Sequence, residues 1–375
     1  MLYYCKHNNG NGPFPTRHPG GGERMPMSEN EKDGAVITPH DTRYLFVLPF
    51  STDRALARRF LATDRQIAGN IRFGKILETL DKVAENTTLA YVNRFYPDAR
   101  VVTAAIDSVV IRSLADTNHD LVFSAQINHV GRSSMEVGIR VESLGAGCGH
   151  LATCYFTMVA RSTDGGEARS LSLPPLTYAQ EVEVKRYKKA EQRRQAYRDS
   201  LAKAEEMPSL DEYLFLKKLH KEQELEGFSG IRVGRLVLES TQRAYPEQEN
   251  VPRTVFGGYL IRRAYELAAL AAETVAPGRV VPCQVNRINF NQPVFLGDQL
   301  RFIARVVYTG KTTITVQSDI ERFSRDAGDK ALSNSCLFTF RNVDSDLQPQ
   351  PVPPIYPVTY AEDARYLNAH RQRVD

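Results

Sequence analysis

The chain contains a copy of itself, and that repeat limits the possible folds more than any other feature. Ala105 to Glu142 and Gln284 to Glu321 align without a gap at a spacing of 179 residues. Phe123 matches Phe302, Gly131-Arg132 matches Gly310-Lys311, Ser133-Ser134 matches Thr312-Thr313, Val137 matches Val316 and Glu142 matches Glu321. After a small shift, Cys154-Tyr155-Phe156-Thr157 matches Cys336-Leu337-Phe338-Thr339. Two long copies make a duplicated domain; a solenoid would need several short units stacked on one another.

Each copy reads as one helix followed by strands. Phe73, Ile76, Leu77, Leu80 and Ala84 recur at helical spacing, and Leu260 to Ala276 is apolar around most of its circumference, the mark of a buried helix. The β-branched stretches Arg100–Ile111, Leu121–His129, Met135–Ser143 and Leu151–Arg161 follow the first helix. Their counterparts are Val280–Phe290, Gln299–Tyr308, Thr313–Arg322 and Ala331–Arg341, and a strand precedes each helix near Arg43–Phe50 and Arg232–Glu239. The expected class is α+β: two tandem units, each a long antiparallel sheet wrapped around a central helix. The boundaries read as 1–42 for a disordered N-terminal segment, 43–165 for the first unit, 166–230 for a charged helical linker, 231–345 for the second unit and 346–375 for a Pro-rich tail. Within that tail, 348–358 should cross the surface in extended form, and the basic run Lys185-Arg186-Tyr187-Lys188-Lys189 reads as a solvated linker face.

Composition narrows the function classes. A net charge of +4 from 48 basic and 44 acidic residues gives no support to a nucleic-acid partner. No apolar run approaches the ~20 residues that cross a bilayer, so no stable membrane insertion is expected. The five cysteines (Cys5, Cys148, Cys154, Cys283, Cys336) are scattered, without metal-site or disulfide spacing, and read as buried small residues in a reducing compartment. His119, His129 and His150 lack metal-like spacing, so neither a metal nor another cofactor is expected.

The sharpest local signal is Asn250-Val251-Pro252-Arg253-Thr254-Val255-Phe256-Gly257-Gly258-Tyr259-Leu260 at the start of the second helix. Adjacent glycines at a helix N-terminus leave N–H groups open to a ligand, and the helix dipole favours negative charge there, so the motif can serve as an oxyanion hole. The alternative is that Gly257 and Gly258 only let the helix pack closely against a strand. Aligning Gly74 with Gly258 places Asp81 where the second helix has Tyr265, and Gln66 where the second loop has Asn250. An Asp on a buried helix is costly unless paired or functional, though an exposed position beside Lys82 and Glu85 would also explain it.

The chain resembles the hotdog-fold acyl-CoA thioesterases, most of all the tandem-hotdog branch of animal mitochondria. The resemblance rests on Arg72-Phe73-Gly74 with Ile76-Leu77-Glu78 and Leu80-Asp81, on Val130-Gly131-Arg132-Ser133-Ser134-Met135-Glu136-Val137, and on Phe156 with Met158-Val159-Ala160-Arg161. It continues through Asn250, Phe256-Gly257-Gly258, Ala264-Tyr265-Glu266-Leu267-Ala268 and Gln292-Pro293-Val294, spanning roughly Arg43 to Arg365. It implies two hotdog domains paired face to face and one catalytic set: the amide Asn250, the glycine Gly257 and the carboxylate Asp81, with Glu78, Glu85 and Glu266 as lesser rivals. The pseudo-equivalent set, Gln66, Phe73 and Tyr265, should be dead. Gly258 and the paired turns at Arg132-Ser133 and Lys311-Thr312 are implied contacts for coenzyme A, although as hairpin turns their basic residues would simply be solvated. Arg253 departs from the small residue common in relatives.

The implied activity is hydrolysis of fatty acyl-CoA, with a non-catalytic acyl-CoA-binding regulator or an enoyl-CoA hydratase as alternatives. The hydratase reading is disfavoured because no His stands near either helix. The resemblance also implies a homo-oligomer, a trimer of double-hotdog chains, and a mitochondrial address. The N-terminal stretch lacks the pattern of a clear transit peptide, which leaves the cytoplasm as the other location.

Overall fold

The structure is a computed structural model that describes residues 36–64, 67–145, 149–162, 169–204, 207–249, 254–324 and 328–373. Of the segment 1–42 expected to be disordered, residues 1–35 lie outside the described residues, as do Gln66, Cys5, Cys148, Asn250 and Arg253, whereas Pro39–Thr42 form a 3₁₀ turn with Pro39 and Thr42 buried.

In chain order the first half holds β1 (Tyr44–Leu48), the short α1 (Arg54–Arg59), the central α2 (Phe73–Val92), and strands β2 (Arg100–Ile111), β3 (Asp120–Val130), β4 (Ser134–Leu144) and β5 (His150–Arg161). Two linker helices follow, α3 (Glu181–Ala204) and α4 (Leu210–Gln223). The second half holds β6 (Ile231–Arg232), β7 (Val237–Arg243), the central α5 (Gly257–Glu273), β8 (Arg279–Val285), β9 (Ile288–Asn289), β10 (Gln299–Thr309), β11 (Thr313–Phe323) and β12 (Lys330–Val343). It closes with β13 (Ile355–Tyr356) and α6 (Tyr360–Arg371).

The sheets of both halves join edge to edge. The strand order is β1-β3-β4-β5-β2-β8-β12-β11-β10-β7, antiparallel where the halves meet through Val109 opposite Val285 and Val110 opposite Gln284. The sheet wraps α2 and α5, which also pack against each other. This is the hotdog architecture made twice. The sequence repeat maps onto it without a slip: β3 and β4 reappear as β10 and β11 at the same spacing, and both central helices begin at matched positions, Phe73 and Gly257. The core is correspondingly paired, with Phe123 and Phe302, Val137 and Val316, and Phe156 and Phe338 each at 1 % exposure or less.

α2 lies inside the sheet with fifteen of its residues buried, and its hydroxyls are satisfied locally: Thr79, Thr87 and Thr88 each donate to the carbonyl one turn back (Lys75, Val83 and Ala84). The cysteines at matched strand positions, Cys154 and Cys336, are buried, free thiols that point at the matched carbonyls of Ile139 and Ser318. Cys283 is half-buried and also free.

Four elements differ from the sequence reading. The strand expected over Arg232–Glu239 is split: β6 pairs in parallel with β13, a 3₁₀ turn at Val233–Arg235 intervenes, and β7 runs on to Arg243. The strand expected over Val280–Phe290 ends at Val285 and resumes as β9, which pairs with β2; inside β8 the register with β12 shifts beside Pro282, which has no N–H to donate. The tail is more than extended chain, since α6 follows β13, opened by a capping box of Thr359 and Glu362. The linker helices are only partly solvated: Lys185, Arg186, Lys188 and Lys189 are exposed, but Ala190 is buried, Arg193 pairs with Glu136, and its guanidinium stacks 3.5 Å over Tyr155.

Phe302 lies on β10, a strand that packs against α5, and is almost wholly enclosed. Phe302→Ala is expected to lower unfolding free energy by about 3 to 5 kcal/mol, read from the urea midpoint at unchanged slope.

Candidate active site

The site begins where the two central helices cross. Both start with a pair in which the second residue is glycine, Phe73-Gly74 and Gly257-Gly258. A Cβ on Gly258 would stand 3.1 Å from Asp81 Cβ and 2.7 Å from the Phe256 ring, and one on Gly74 would stand 3.2 Å from Arg262 Cγ and Glu266 Cγ. The glycines therefore allow a close approach, against the other helix rather than a strand.

That approach encloses Asp81, which is 0 % exposed. Its Oδ1 accepts a hydrogen bond from Thr103 Oγ1 on β2 at 2.5 Å, while its Oδ2 has no hydrogen-bond partner. Oδ2 points at the start of α5, 3.3 Å from where a Gly257 Cβ would be. The helix has no side-chain cap, because Phe256 stands at the N-cap position; the Tyr259 N–H turns back to Phe256 O at 3.2 Å, which leaves the Gly257 and Gly258 N–H groups without a backbone partner.

Burial pushes the Asp81 carboxyl up to about 7. The Thr103 hydrogen bond opposes that shift most, Glu85 adds to it, and the Gly258 N–H and Lys82 soften the charge slightly; the Gly258 N–H lies outside good hydrogen-bond geometry, consistent with the unpartnered Oδ2. The rival carboxylates are all committed elsewhere. Glu78 pairs with Lys75 and, at 3.6 Å, with Arg262; Glu85 pairs with Lys82 at 2.8 Å; Glu266 pairs with Arg72 at 2.7 Å and with Arg263 at 3.7 Å.

The pseudo-equivalent place has different chemistry. Tyr265 stands where the first helix has Asp81, and its ring packs 5.3 Å from Phe73, 5.4 Å from Phe338 and 5.4 Å from Phe340. Thr103 lies opposite Met158, and the matched pair in the second half is Pro282 opposite Phe340. Carboxylate, hydroxyl and glycine are thus replaced by phenol, Pro and Phe. Thr103 escaped the sequence reading because a Thr in a β-branched strand carries no signal beyond strand propensity. Alignment against Pro282 becomes informative only once the helix–strand contact is known.

The two turns part company. Ser134 lies opposite Val159, which lies opposite Val102, so the Arg132-Ser133 turn sits two strands, about 10 Å, from the Thr103 level. Thr313 lies opposite Arg341, which lies opposite Val281, so Lys311-Thr312 sits at the Tyr265 end. Both basic side chains are exposed. The turns' carbonyls are in use: Ser133 accepts from Ala160 N–H and Thr312 from Asn342 N–H.

Comparison with known proteins identifies the family. Residues 253–327 match the family model of the thioesterase superfamily. Over 123 residues the chain is 32% identical to an acyl-CoA thioester hydrolase of Salmonella typhimurium, covering 32% of this chain and 91% of that one. The chain belongs to the hotdog-fold acyl-CoA thioesterase family. Similarity to mitochondrial acyl-coenzyme A thioesterase 9 of Mus musculus runs through both halves, with 27% identity over 366 residues, 91% of this chain and 80% of that protein. Among solved structures, an acyl-CoA hydrolase of Staphylococcus aureus in complex with butyryl coenzyme A and coenzyme A has a TM-score of 0.36 and 26% identity, covering 38% of this chain and 86% of that one.

In this thioesterase-family chain the raised carboxyl couples to stability. Between about pH 4 and 7 the folded protein holds a proton on Asp81 that the unfolded chain has released, so stability is full below pH 4 and falls as pH rises through 7. Relative to Asp81→Asn, which does not titrate, wild type should lose up to roughly 3 to 4 kcal/mol across that window, measured as urea midpoints at stepped pH.

Proposed function

We propose that this chain hydrolyses fatty acyl-CoA to free fatty acid and coenzyme A at one composite site between its halves. The observation that carries the reading is Asp81: a buried carboxyl without an ion pair, anchored through Oδ1 by Thr103 and presenting a free Oδ2 to the open N-terminus of α5. A carboxylate held near 7 is matched to proton transfer at neutral pH.

The thioester carbonyl accepts from the Gly257 N–H, and from the Asn250 amide, which family resemblance assigns here. Oδ2 takes a proton from water as the water oxygen bonds to the carbonyl carbon. The negative charge that develops on the carbonyl oxygen is stabilised by the helix terminus. Collapse breaks the C–S bond, and the proton on Asp81 passes to the departing thiolate. Direct attack by Oδ2 to give a mixed anhydride is the second route from the same geometry. The Tyr265 place lacks a base and is inert. Gly258 contributes the close approach, and the Arg132-Ser133 turn, at the Asp81 end, is the better placed of the two turns to meet a coenzyme A phosphate.

The boundaries that go with this reading are hotdog domains at 43–165 and 231–345, joined by the linker at 166–230. A mitochondrial location follows the similar mouse protein, and a trimer of double-hotdog chains is the expected assembly. A monodisperse particle near 42.2 kDa by light scattering would overturn the trimer.

Thiol release from acyl-CoAs of graded chain length tests the function. Asp81→Ala and Asn250→Ala should each lower kcat/KM by about 10²- to 10⁴-fold, and Tyr265→Phe should leave it within about twofold. Binding of acyl-CoA by wild type without thiol release would replace catalysis with a sensor role.

A further inference from the structure

Asp81 is wholly enclosed, yet a base must meet water and a carbonyl, so part of its enclosure has to move. What stands at the start of α5 is specific. The atoms nearest a Cβ built on Gly257 are Cε1 and Cζ of Phe290, each at 3.1 Å, and then Asp81 Oδ2 at 3.3 Å. The Phe290 ring thus occupies the space in front of the first glycine of α5, which the free carboxylate oxygen also faces.

The backbone under that ring is tied down. β9 pairs with β2 through Ile288 and Asn289, the Phe290 N–H donates to Ala104 O at 3.0 Å, and the Asn291 N–H donates to Ser333 O at 3.0 Å. Ala104 is the chain neighbour of Thr103, so the strand that anchors Asp81 also anchors the base of Phe290. The side chain is only partly buried, packed on the core from its rim. A fixed backbone with a ring that is not fully buried allows motion by side-chain rotation alone, without opening the sheet.

We propose that the Phe290 side chain is the gate of the Asp81 site: the ring, in place as seen, keeps water from Oδ2 and covers Gly257, and it swings outward to admit the thioester. Phe290 is a positioning residue, acting through the environment of Asp81 and not through contact with a reacting bond. The closed ring also maintains the dry surroundings that hold the carboxyl protonated toward neutral pH. The other groups acting on that carboxyl are Glu85 and Lys82 from its own helix, Thr103 from β2 and the Gly258 N–H from α5.

The inference rests on the reading of Asp81 as the base, but its test uses no acyl-CoA, so it can fail while that reading stands. The intact protein is treated with a carbodiimide and glycine ethyl ester at pH 6, and labelling rates at Asp81, Glu78 and Glu85 are read by peptide mass, with Asp81→Asn as the blank. Phe290→Ala is expected to raise the Asp81 rate about tenfold or more with Glu78 and Glu85 unchanged, and Phe290→Tyr to restore the wild-type rate. An unchanged Asp81 rate overturns the proposal, and so does a rise shared equally by Glu78 and Glu85, which would report general loosening of α2. If Phe290→Ala does not fold, Phe290→Leu takes its place, with a smaller rise confined to Asp81 expected and a flat rate overturning the gate.

Discussion

Two helices in this protein pass so close that side chains at the crossing would collide if glycine did not open each helix. Gly258 lies against Asp81, and Gly74 lies against Arg262 and Glu266. This contact carries the rest of the structure. It brings the carboxylate of one half to the helix terminus of the other, removes that carboxylate from water, and holds the seam of one continuous sheet over a shared interior. The charged residues around the crossing are arranged so that Lys75, Arg262, Lys82 and Arg72 each face a glutamate, which leaves Asp81 as the acidic group whose charge is offset mainly by a hydroxyl. A neutral hydrogen bond compensates burial less than an ion pair does, and the raised proton affinity follows.

Duplication supplied two pseudo-equivalent places at this crossing, and the chain has treated them differently. At one, Asp81, Thr103 and Gly257 form a polar pocket around an unfilled acceptor. At the other, Tyr265, Pro282 and Phe73 occupy the same positions, and the aromatic rings of Phe338 and Phe340 complete an apolar stack. Once a carboxylate is lost, nothing compensates an unpaired hydroxyl or an open helix terminus in the interior, so filling the space with rings is the stable outcome. The Tyr265 side is therefore available for packing energy, while the Asp81 side bears the cost of a buried, unsatisfied oxygen. Buried polar strain of that kind is the usual companion of a functional site.

Much of the fold was legible in the chain because burial leaves periodic marks. The apolar turns of α2, the alternation in β3 and β4 and their exact reappearance in β10 and β11 fixed two helix-and-sheet units. The elements that were misread depend on contacts distant in sequence or on a single backbone group. β6 is a strand only because β13 lies beside it, and the strand after α5 divides into β8 and β9 because its second part pairs with β2 of the other half. α6 was announced by Thr359 and Glu362, a local signal overshadowed by the prolines before it.

The sequence by itself determined that the protein is a duplicated α+β chain, that a glycine pair opens a buried helix, and that Asp81 and Tyr265 hold matched positions. Those facts follow from spacing, which the chain carries in one dimension. The tertiary structure alone decided that Asp81 is enclosed and Glu78, Glu85 and Glu266 are ion-paired, that Thr103 rather than a neighbouring charge holds it, and that Phe290 lies across the start of α5. A carboxyl's proton affinity and its access to water are set by what surrounds it in space, and in this protein those neighbours come from β2, α5 and the segment after β9.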